Sequence, residues 1–530
     1  MRAMKGGRKG GIRKDTASRV WKGENDRNNQ ANTSRHGYWL FLFLQNCLDL
    51  PVSNYLKRNT MKNLLLCSVI LCVLFSAPFV YAGPLADQKL LDFLKKNGAL
   101  TELQVRDIKQ TLDEEEQQTA KKQEAKEAKE VKATYDDGLH FRTNDKSFDI
   151  RIGGLIQTDL MLYEPHYPVK NDFDIRRARF FISGRLFRDF NFKFEGELEG
   201  ASNNRLVDAY VNYEYFPHIK FQIGQFKEPY SLEQLIADKN LVFMERSMGF
   251  YLTPSRDVGF MVYGNLLKDS LLYSAGVFNG DGTDATRRGQ KNDRQATGRL
   301  VLIPFKNFGP SFLKGLQLGG SFSYSDLDTS DFTIDIKTPA RTTFFSVKSQ
   351  TKFNVLEDID KLHRMNLEMA YAYGPLVIMG EFFKSNYTKL QFTDTEPFDF
   401  NLKSWYVSML CMVTGEQPTL KDGILEGIKP KYNFDANARK WGALGIGFRY
   451  EQFAGEKKVY SYLVERGESV RRATSFTVAL NWYLNQLMRL SLNYSRTWFT
   501  EPLYYGTSPE GIGYYDDREN AWFTRFQLEF

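Results

Sequence analysis

The chain contains little cysteine and little histidine. Its 530 residues include five histidines and four cysteines, Cys47, Cys67, Cys72 and Cys411. No two cysteines have the C-x-x-C spacing of a structural zinc site. Only Cys411 lies beyond the signal peptide described below, which excludes a disulfide within the mature chain. We therefore expect neither a metal site nor a cofactor.

Long apolar runs are also scarce. The clearest is Leu64–Phe75, which follows Met61 and a lysine and precedes a Val-Tyr-Ala cleavage site ending at Ala82. This order predicts a secretory signal peptide at residues 61–82. The alternative is an internal membrane anchor, for which the run is short. We hypothesise that Met61 is the true start and that residues 1–60 are an upstream extension outside the fold.

The charge of the chain is unevenly distributed. Residues 1–82 contain 13 basic and 4 acidic residues, whereas the other 58 basic and 60 acidic residues nearly cancel. The formal net charge of +7 therefore arises from the segment that we expect to be removed. The mature chain gives no support for binding to nucleic acid.

Aromatic residues are abundant, at 15%, and many lie on alternating segments. Between residues 173 and 229, four consecutive runs alternate between an apolar, aromatic-rich face and a polar face. In one of them Phe190, Phe192 and Phe194 alternate with Asn191 and Lys193. Alternation with period two predicts strands. Two architectures fit: a soluble β-sandwich, and an outer-membrane barrel with lipid outside and water inside.

The whole segment 135–530 fits an all-β fold, a 16-stranded antiparallel transmembrane β-barrel. The predicted strands are 148–163, 173–187, 190–201, 205–215, 218–226, 257–266, 270–279, 293–303, 315–325, 362–373, 376–388, 401–414, 439–453, 473–484, 486–499 and 519–530. The strand-like segment 342–352 is placed in a long loop. Short turns alternate with long loops, as expected for periplasmic and extracellular connections. Residues 415–438 are the exception, because they form a long connection where a turn is expected.

A short helical segment at 83–134 is predicted to precede the barrel. Helices are expected over 84–112, with a capping box at Thr101–Gln104. Residues 114–133 are almost free of large apolar side chains, which predicts a solvated helix or tether rather than a coiled coil. This segment is either a periplasmic stalk that touches peptidoglycan or a neighbouring subunit, or a plain spacer.

The last strand carries a candidate assembly signal. Trp522, Phe526, Leu528 and the terminal Phe530 share one face. A terminal amphipathic strand ending in an aromatic residue resembles the signal read by the barrel-assembly machinery. Together with the signal peptide, it favours the membrane barrel, with lipid as the partner of the apolar faces and the bacterial outer membrane as the location.

The chain resembles the phosphate-selective porin O and P family. The resemblance is carried by FDIRRARFFISGRLFRDFNFKFEGELEG (173–200), the segment 206–235, FMERSM (243–248), VTGEQP (413–418) and GALGIGFRYEQF (442–453). The last motif departs from the family pattern, with Leu444-Gly445 in place of Trp-Glu. The resemblance implies a diffusion porin that admits small ions or phosphate-like anions, is usually a homotrimer and has an inward-folded third loop.

A preference for anions requires cationic side chains spaced along the lumen. Arg177, Arg179 and Arg185 share one face of a strand and form a candidate ladder. The alternative is that these arginines pair with Glu195, Glu197 and Glu199 of the next strand and present little net charge. Six further candidates are Lys193, Lys220, Lys227, Lys239, Arg246 and Arg256.

Residues 227–256 form the candidate constriction loop. Lys227, Lys239, Arg246 and Arg256 face four acidic residues within the same segment, Glu228, Glu233, Asp238 and Glu245, so this loop carries no net preference for anions.

Two other classes of function remain open. A barrel enzyme needs a nucleophile and a base, but the mature chain has only His140, His166, His218 and His363 and no G-x-S-x-G motif. We therefore predict no enzyme. A structural or adhesive barrel with a closed lumen would differ from a porin in conducting no ions.

Overall fold

A computed structural model describes residues 91–135, 138–164, 171–200, 205–280, 282, 294–327, 332–348, 355–393, 395–458, 469–507 and 512–530. The predicted upstream extension 1–60, the signal peptide 61–82 and His166 lie outside these residues.

The described chain contains 23 strands. They are β1 Val131–Tyr135, β2 Leu139–Thr143, β3 Phe148–Tyr163, β4 Asp172–Leu186, β5 Phe190–Glu197, β6 Leu206–Tyr213, β7 Lys220–Lys227, β8 Arg256–Leu266, β9 Leu271–Phe278, β10 Gln295–Leu302, β11 Leu316–Asp326, β12 Thr333–Lys337, β13 Thr343–Lys348, β14 Leu356–Asp358, β15 Lys361–Tyr373, β16 Leu376–Phe392, β17 Phe398–Met412, β18 Leu420–Lys421, β19 Ile424–Leu425, β20 Ala443–Gly455, β21 Arg472–Tyr483, β22 Met488–Thr507 and β23 Gly513–Glu529.

Sixteen of these strands form a closed antiparallel barrel. They are β3–β11, β15–β17 and β20–β23, and each pairs with the next along the wall. The last strand closes the cylinder on the first, in a register that runs from Ala521↔Tyr163 to Glu529↔Leu155. Closure leaves no free edge along this seam, which a membrane-spanning sheet requires. The predicted fold class and each of the sixteen predicted strands are confirmed.

The chain divides into two compact units at Glu115. In the first, residues 91–96 are helical and are followed by the start of α1 (Glu102–Ala128). The predicted capping box is present: the Gln104 amide N–H donates to Thr101 Oγ1 at 3.4 Å, and the Thr101 N–H donates to Gln104 Oε1 at 3.0 Å. No helix among the described residues is long and apolar enough to cross a membrane.

Several connections of the barrel contain further helices, turns or strands. The constriction loop contains α2 (Leu232–Leu235) and two 3₁₀ turns, Asp238–Asn240 and Met248–Leu252; a third 3₁₀ turn, Ser311–Leu313, precedes β11. The loop between β11 and β15 contains the inner hairpin, β12–β13, which includes most of the predicted strand-like segment 342–352.

The long connection 413–442, which contains β18 and β19, folds back into the barrel. The carbonyl oxygen of Gly423 accepts a hydrogen bond from Arg299 Nη2 on β10 at 3.2 Å, and Leu425 is buried. The inward part of this connection accounts for some of its unusual length, whereas residues 431–441 are exposed.

Strands β1 and β2 were not predicted. They form a hairpin, and β2 pairs with the first residues of β3. This hairpin lies outside the set of sixteen strands.

Candidate functional site

Lipid-facing and lumen-facing side chains alternate along the wall. On β5, Phe190 and Phe194 are 41% and 51% exposed, whereas Glu195 is 7% exposed and faces the interior. The candidate signal residues Trp522, Phe526 and Phe530 are likewise exposed on the outer face of β23. Exposed rings outside and buried carboxylates inside are the reverse of a soluble sandwich.

A β-bulge in β4 brings two adjacent arginines to the lumen. Gln157 is registered with Arg177, and Thr158 is registered with Ile175, so Arg176 has no partner on β3. A bulge redirects side chains in this way. Arg176 then binds Glu245 of the constriction loop through two contacts of 2.9 and 3.1 Å. Strict alternation does not place Arg176 in the lumen. The sequence signal that could have indicated this is the pair of adjacent arginines, Arg176 and Arg177, since strict alternation would turn one of them toward lipid.

The three candidate ladder arginines have different partners. Arg177 Nη1 donates to Gln157 at 2.9 Å, and its Nε lies 3.4 Å from Asp238 Oδ2. Arg179 binds Glu197 at 2.7 Å and Asp238 at 2.6 Å. Arg185 donates to Asn191 Oδ1 at 3.2 Å. The pairing of arginine with glutamate is therefore present at Arg179, and the ladder role remains a prediction.

The six other candidate cations are also engaged. Their contacts are Lys193 Nζ to Asp208 at 2.8 Å, Arg256 Nε to Asp208 at 2.6 Å, Lys220 Nζ to Glu214 at 3.7 Å, Lys239 Nζ to Glu529, Arg246 Nη1 to Asp238 at 2.6 Å, and Lys227 Nζ to the carbonyls of Gln234 and Ile236 at 2.7 and 2.9 Å. Five of these six cations thus face a carboxylate.

Asp238 is the carboxylate on which the constriction is centred. Burial by itself would raise its pKa, but the guanidinium groups of Arg177 and Arg246 hold that pKa well below its usual range. Asp238 therefore remains charged, and it neutralises the arginines that would otherwise attract anions.

Polar side chains of the wall hold the constriction loop by its backbone. Five wall residues donate to five loop carbonyls: Gln527 to Lys239, Arg489 to Leu241, Asn481 to Val242, Arg525 to Met244 and Arg449 to Glu245, at 2.8–3.1 Å. Arginines that bind carbonyl oxygens in this way are structural, because their donors are used before a solute arrives.

Glu381 on β16 holds the same loop at α2. Its carboxylate accepts hydrogen bonds from Ser231 Oγ and from the backbone N–H groups of Leu232 and Glu233, at 3.1, 3.0 and 2.8 Å. These N–H groups belong to the first turn of α2 and would otherwise lack a partner.

The tip of the inner hairpin meets the constriction loop. Arg341 donates to Glu245 at 3.0 Å and to Asp174 at 3.1 Å, and it also pairs with Asp159. These contacts join two inward-folded segments and the wall at Arg341.

The interior next to the inner hairpin is apolar. Phe344 and Phe345 pack 5.4 and 5.3 Å from the ring of Phe453, and inward-facing Phe383 and Phe400 are also fully buried. Water inside the barrel predicts polar side chains on the inward faces of the strands, but on β16, β17 and β20 these faces also carry buried aromatic rings. There the inner wall is apolar because it supports a packed hairpin rather than water.

Arg364 is a lumen-facing arginine without a carboxylate partner. Arg364 lies on the face of β15 opposite exposed Met365 and Leu367, and its Nη1 donates to Gln295 at 3.3 Å. Within the described residues, no carboxylate oxygen lies within 4.0 Å of Arg364. Gln295 in turn binds Glu228, so a neutral amide separates the two charges.

A closed barrel with an inward-folded loop that carries paired charges defines a membrane channel of the porin class. The family model for phosphate-selective porin O and P matches residues 150–498. The chain belongs to this family. It is a protein of the bacterial outer membrane, a diffusion porin that admits small hydrophilic solutes.

Individual relatives are more distant. The chain is 25% identical to Porin O of Pseudomonas aeruginosa over 427 residues, which cover 74% of this chain and 91% of that protein. Among solved structures, it is similar to an anion-selective porin from Comamonas acidovorans, at 10% identity and a TM-score of 0.44, covering 72% of this chain and 100% of the other. It is also similar to the trimer form of OmpT from Vibrio cholerae, at 11% identity and a TM-score of 0.44, with the same coverage.

Proposed function

We propose that this porin has a weak preference for anions and that Arg364 sets its sign. The preference is weak because Arg179, Arg246 and Arg256 are neutralised by carboxylates. Its sign is anionic because Arg364 contributes positive charge to the lumen without such a partner. The family description, phosphate-selective porin O and P, supports phosphate-like anions among the solutes.

The size of the effect follows from electrostatics in water. At the dielectric constant of water, the interaction energy between a unit charge and a monovalent ion 4 Å away is about 1 kcal/mol. Since 1.4 kcal/mol corresponds to a factor of ten, a single uncompensated arginine favours an anion by up to about fivefold and disfavours a cation by up to about fivefold at this point of the pathway.

Reversal potentials in planar bilayers under a KCl gradient test the proposal, with phosphate as a second anion. Arg364→Gln removes the charge and is expected to abolish most of the preference. Arg364→Lys keeps the charge and is expected to retain it. Cation selectivity in the unaltered protein, or equal potentials in the Gln and Lys variants, would overturn the proposal. A barrel that passes no current would instead indicate the structural or adhesive alternative.

We further propose that the barrel has no catalytic role and assembles as the homotrimer that the resemblance implies. Of the described histidines, His140 pairs with Asp149 and His218 with the carbonyl of Asn265, which are structural contacts. Native mass spectrometry of the detergent-extracted protein tests the trimer. Removal of Phe530, with slower insertion as the expected result, tests recognition by the barrel-assembly machinery.

A further inference from the structure

The hairpin β1–β2 has one apolar face that is exposed. Cross-strand partners Ala133↔Phe141 and Tyr135↔Leu139 share this face with Val131, whose own partner Thr143 is buried. Val131 and Tyr135 are each 60% exposed, Leu139 is 40% exposed and Phe141 is 36% exposed. A soluble domain rarely leaves such a face uncovered.

The register shows in which direction this face points. Leu139 is paired with Ile152 and Phe141 with Ile150. Both isoleucines lie on the even-numbered face of β3, which also carries the exposed residues Ile156 and Leu162. The apolar face of the hairpin therefore continues the lipid-facing surface of the barrel.

The opposite face of the hairpin is polar, and His140 on it is buried. His140 Nδ1 lies 2.8 Å from Asp149 Oδ1, and Arg142 Nε donates to Asp149 Oδ2 at 2.8 Å. Like the sixteen strands of the wall, the hairpin carries apolar side chains on one face and polar side chains on the other.

The hairpin also occupies the place where the last strand ends. β23 pairs with β3 from Leu155 onward, Phe530 exchanges backbone hydrogen bonds with Gly154, and β2 pairs with β3 from Asp149 to Ile152. At the same end of β3, the rings of Phe148 and Phe187 lie 5.1 Å apart. Aromatic rings gather where a barrel crosses the surface of a membrane.

We propose that the β1–β2 hairpin is a membrane-contacting extension of the barrel wall, with Val131, Tyr135, Leu139 and Phe141 in the phospholipid of the periplasmic leaflet. The argument rests on continuity with the lipid-facing surface and does not depend on ion selectivity.

Spin labels distinguish lipid from water and from protein. Single cysteines at Tyr135 and Phe141 are labelled in a Cys411→Ser background, and the folded protein is reconstituted into vesicles of phosphatidylethanolamine and phosphatidylglycerol. Accessibility to oxygen reports lipid, and accessibility to a water-soluble nickel chelate reports solvent. Labels at Phe190 and Asn191 on β5 provide the lipid-facing and lumen-facing controls, and a label at Lys132 probes the other face of the hairpin.

The expected result is that labels at 135 and 141 match the label at 190, with high oxygen and low nickel accessibility, while the label at 132 matches that at 191. High nickel accessibility at 135 and 141 would place the face in water. Low accessibility to both reagents would place it against protein, such as a second copy of the chain. Either outcome would overturn the proposal. Resistance of each variant to unfolding in cold detergent verifies that the barrel has formed.

Discussion

Removal of the Glu381 carboxylate is expected to release the constriction loop from the wall. Glu381 is buried on β16 and accepts hydrogen bonds from Ser231 and from the backbone N–H groups of Leu232 and Glu233. Asn366 and Tyr406 also donate to it, at 3.0 and 2.9 Å, and fix its position. Glu381→Ala leaves these donors without an acceptor, and the loop can satisfy its own donors only by leaving the wall.

The magnitude follows from the two backbone groups. A buried donor that loses its partner costs about 1–3 kcal/mol, so the N–H groups of Leu232 and Glu233 together favour release by about 4 kcal/mol. This is roughly a thousandfold change in the ratio of released to docked loop. Glu381→Gln keeps one acceptor oxygen and most of the volume, and its effect should be intermediate.

Two assays report release of the loop. Trypsin cleaves after Lys239 only when this segment leaves the interior, so the cleavage rate follows the released population. Low-frequency noise in single-channel current reports the same motion during conduction. The exposed Glu357 on β14 provides the control, since Glu357→Ala removes a carboxylate that does not contact the loop. Glu381→Ala and the control could be cleaved by trypsin at the same rate and show the same current noise. In that case the contacts of the wall with the loop carbonyls are sufficient to hold the loop, and the role assigned to Glu381 is wrong.

Two further predictions concern charge. Burial raises the pKa of Glu228 to about 7, although hydrogen bonds from Thr297 and Gln295 oppose the shift. Protonation removes a negative charge, so anion preference should rise as the pH falls from 8 to 6, and the reversal potential of Glu228→Gln should change less over this range than that of the unaltered protein. Arg341→Ala removes the link between the inner hairpin and Glu245. We expect a larger single-channel conductance; an unchanged value would show that the tip of the hairpin does not narrow the pathway.

The barrel could be predicted from the sequence because the alternation of apolar and polar residues that defines each strand is local. Each strand carries its own alternation, as at Phe190–Glu195, and each turn has its own composition. The β1–β2 hairpin follows the same rule over only five residues per strand, with an Asp-Gly pair at Asp137-Gly138 as its turn signal.

The interior could be predicted only in part, because its contacts join distant segments. Arg179 and Glu197 lie on neighbouring strands, and this pairing was foreseen. Asp238, which also neutralises Arg179, reaches it from another segment, and Arg341 reaches Glu245 across 96 positions of sequence. Arg176 escaped prediction for a different reason, since one bulge residue shifts the alternation on which the prediction depends.

The central claim is that water and ions cross a barrel in which most candidate cations of the lumen are paired with carboxylates, whereas Arg364 is not. The reversal potential of the unaltered porin in a KCl gradient, compared directly with that of Arg364→Gln, tests this claim most directly. We predict a small potential of anion-selective sign that falls toward zero in the variant. A strong anion selectivity that persists in Arg364→Gln, or a cation-selective sign in the unaltered protein, would contradict it.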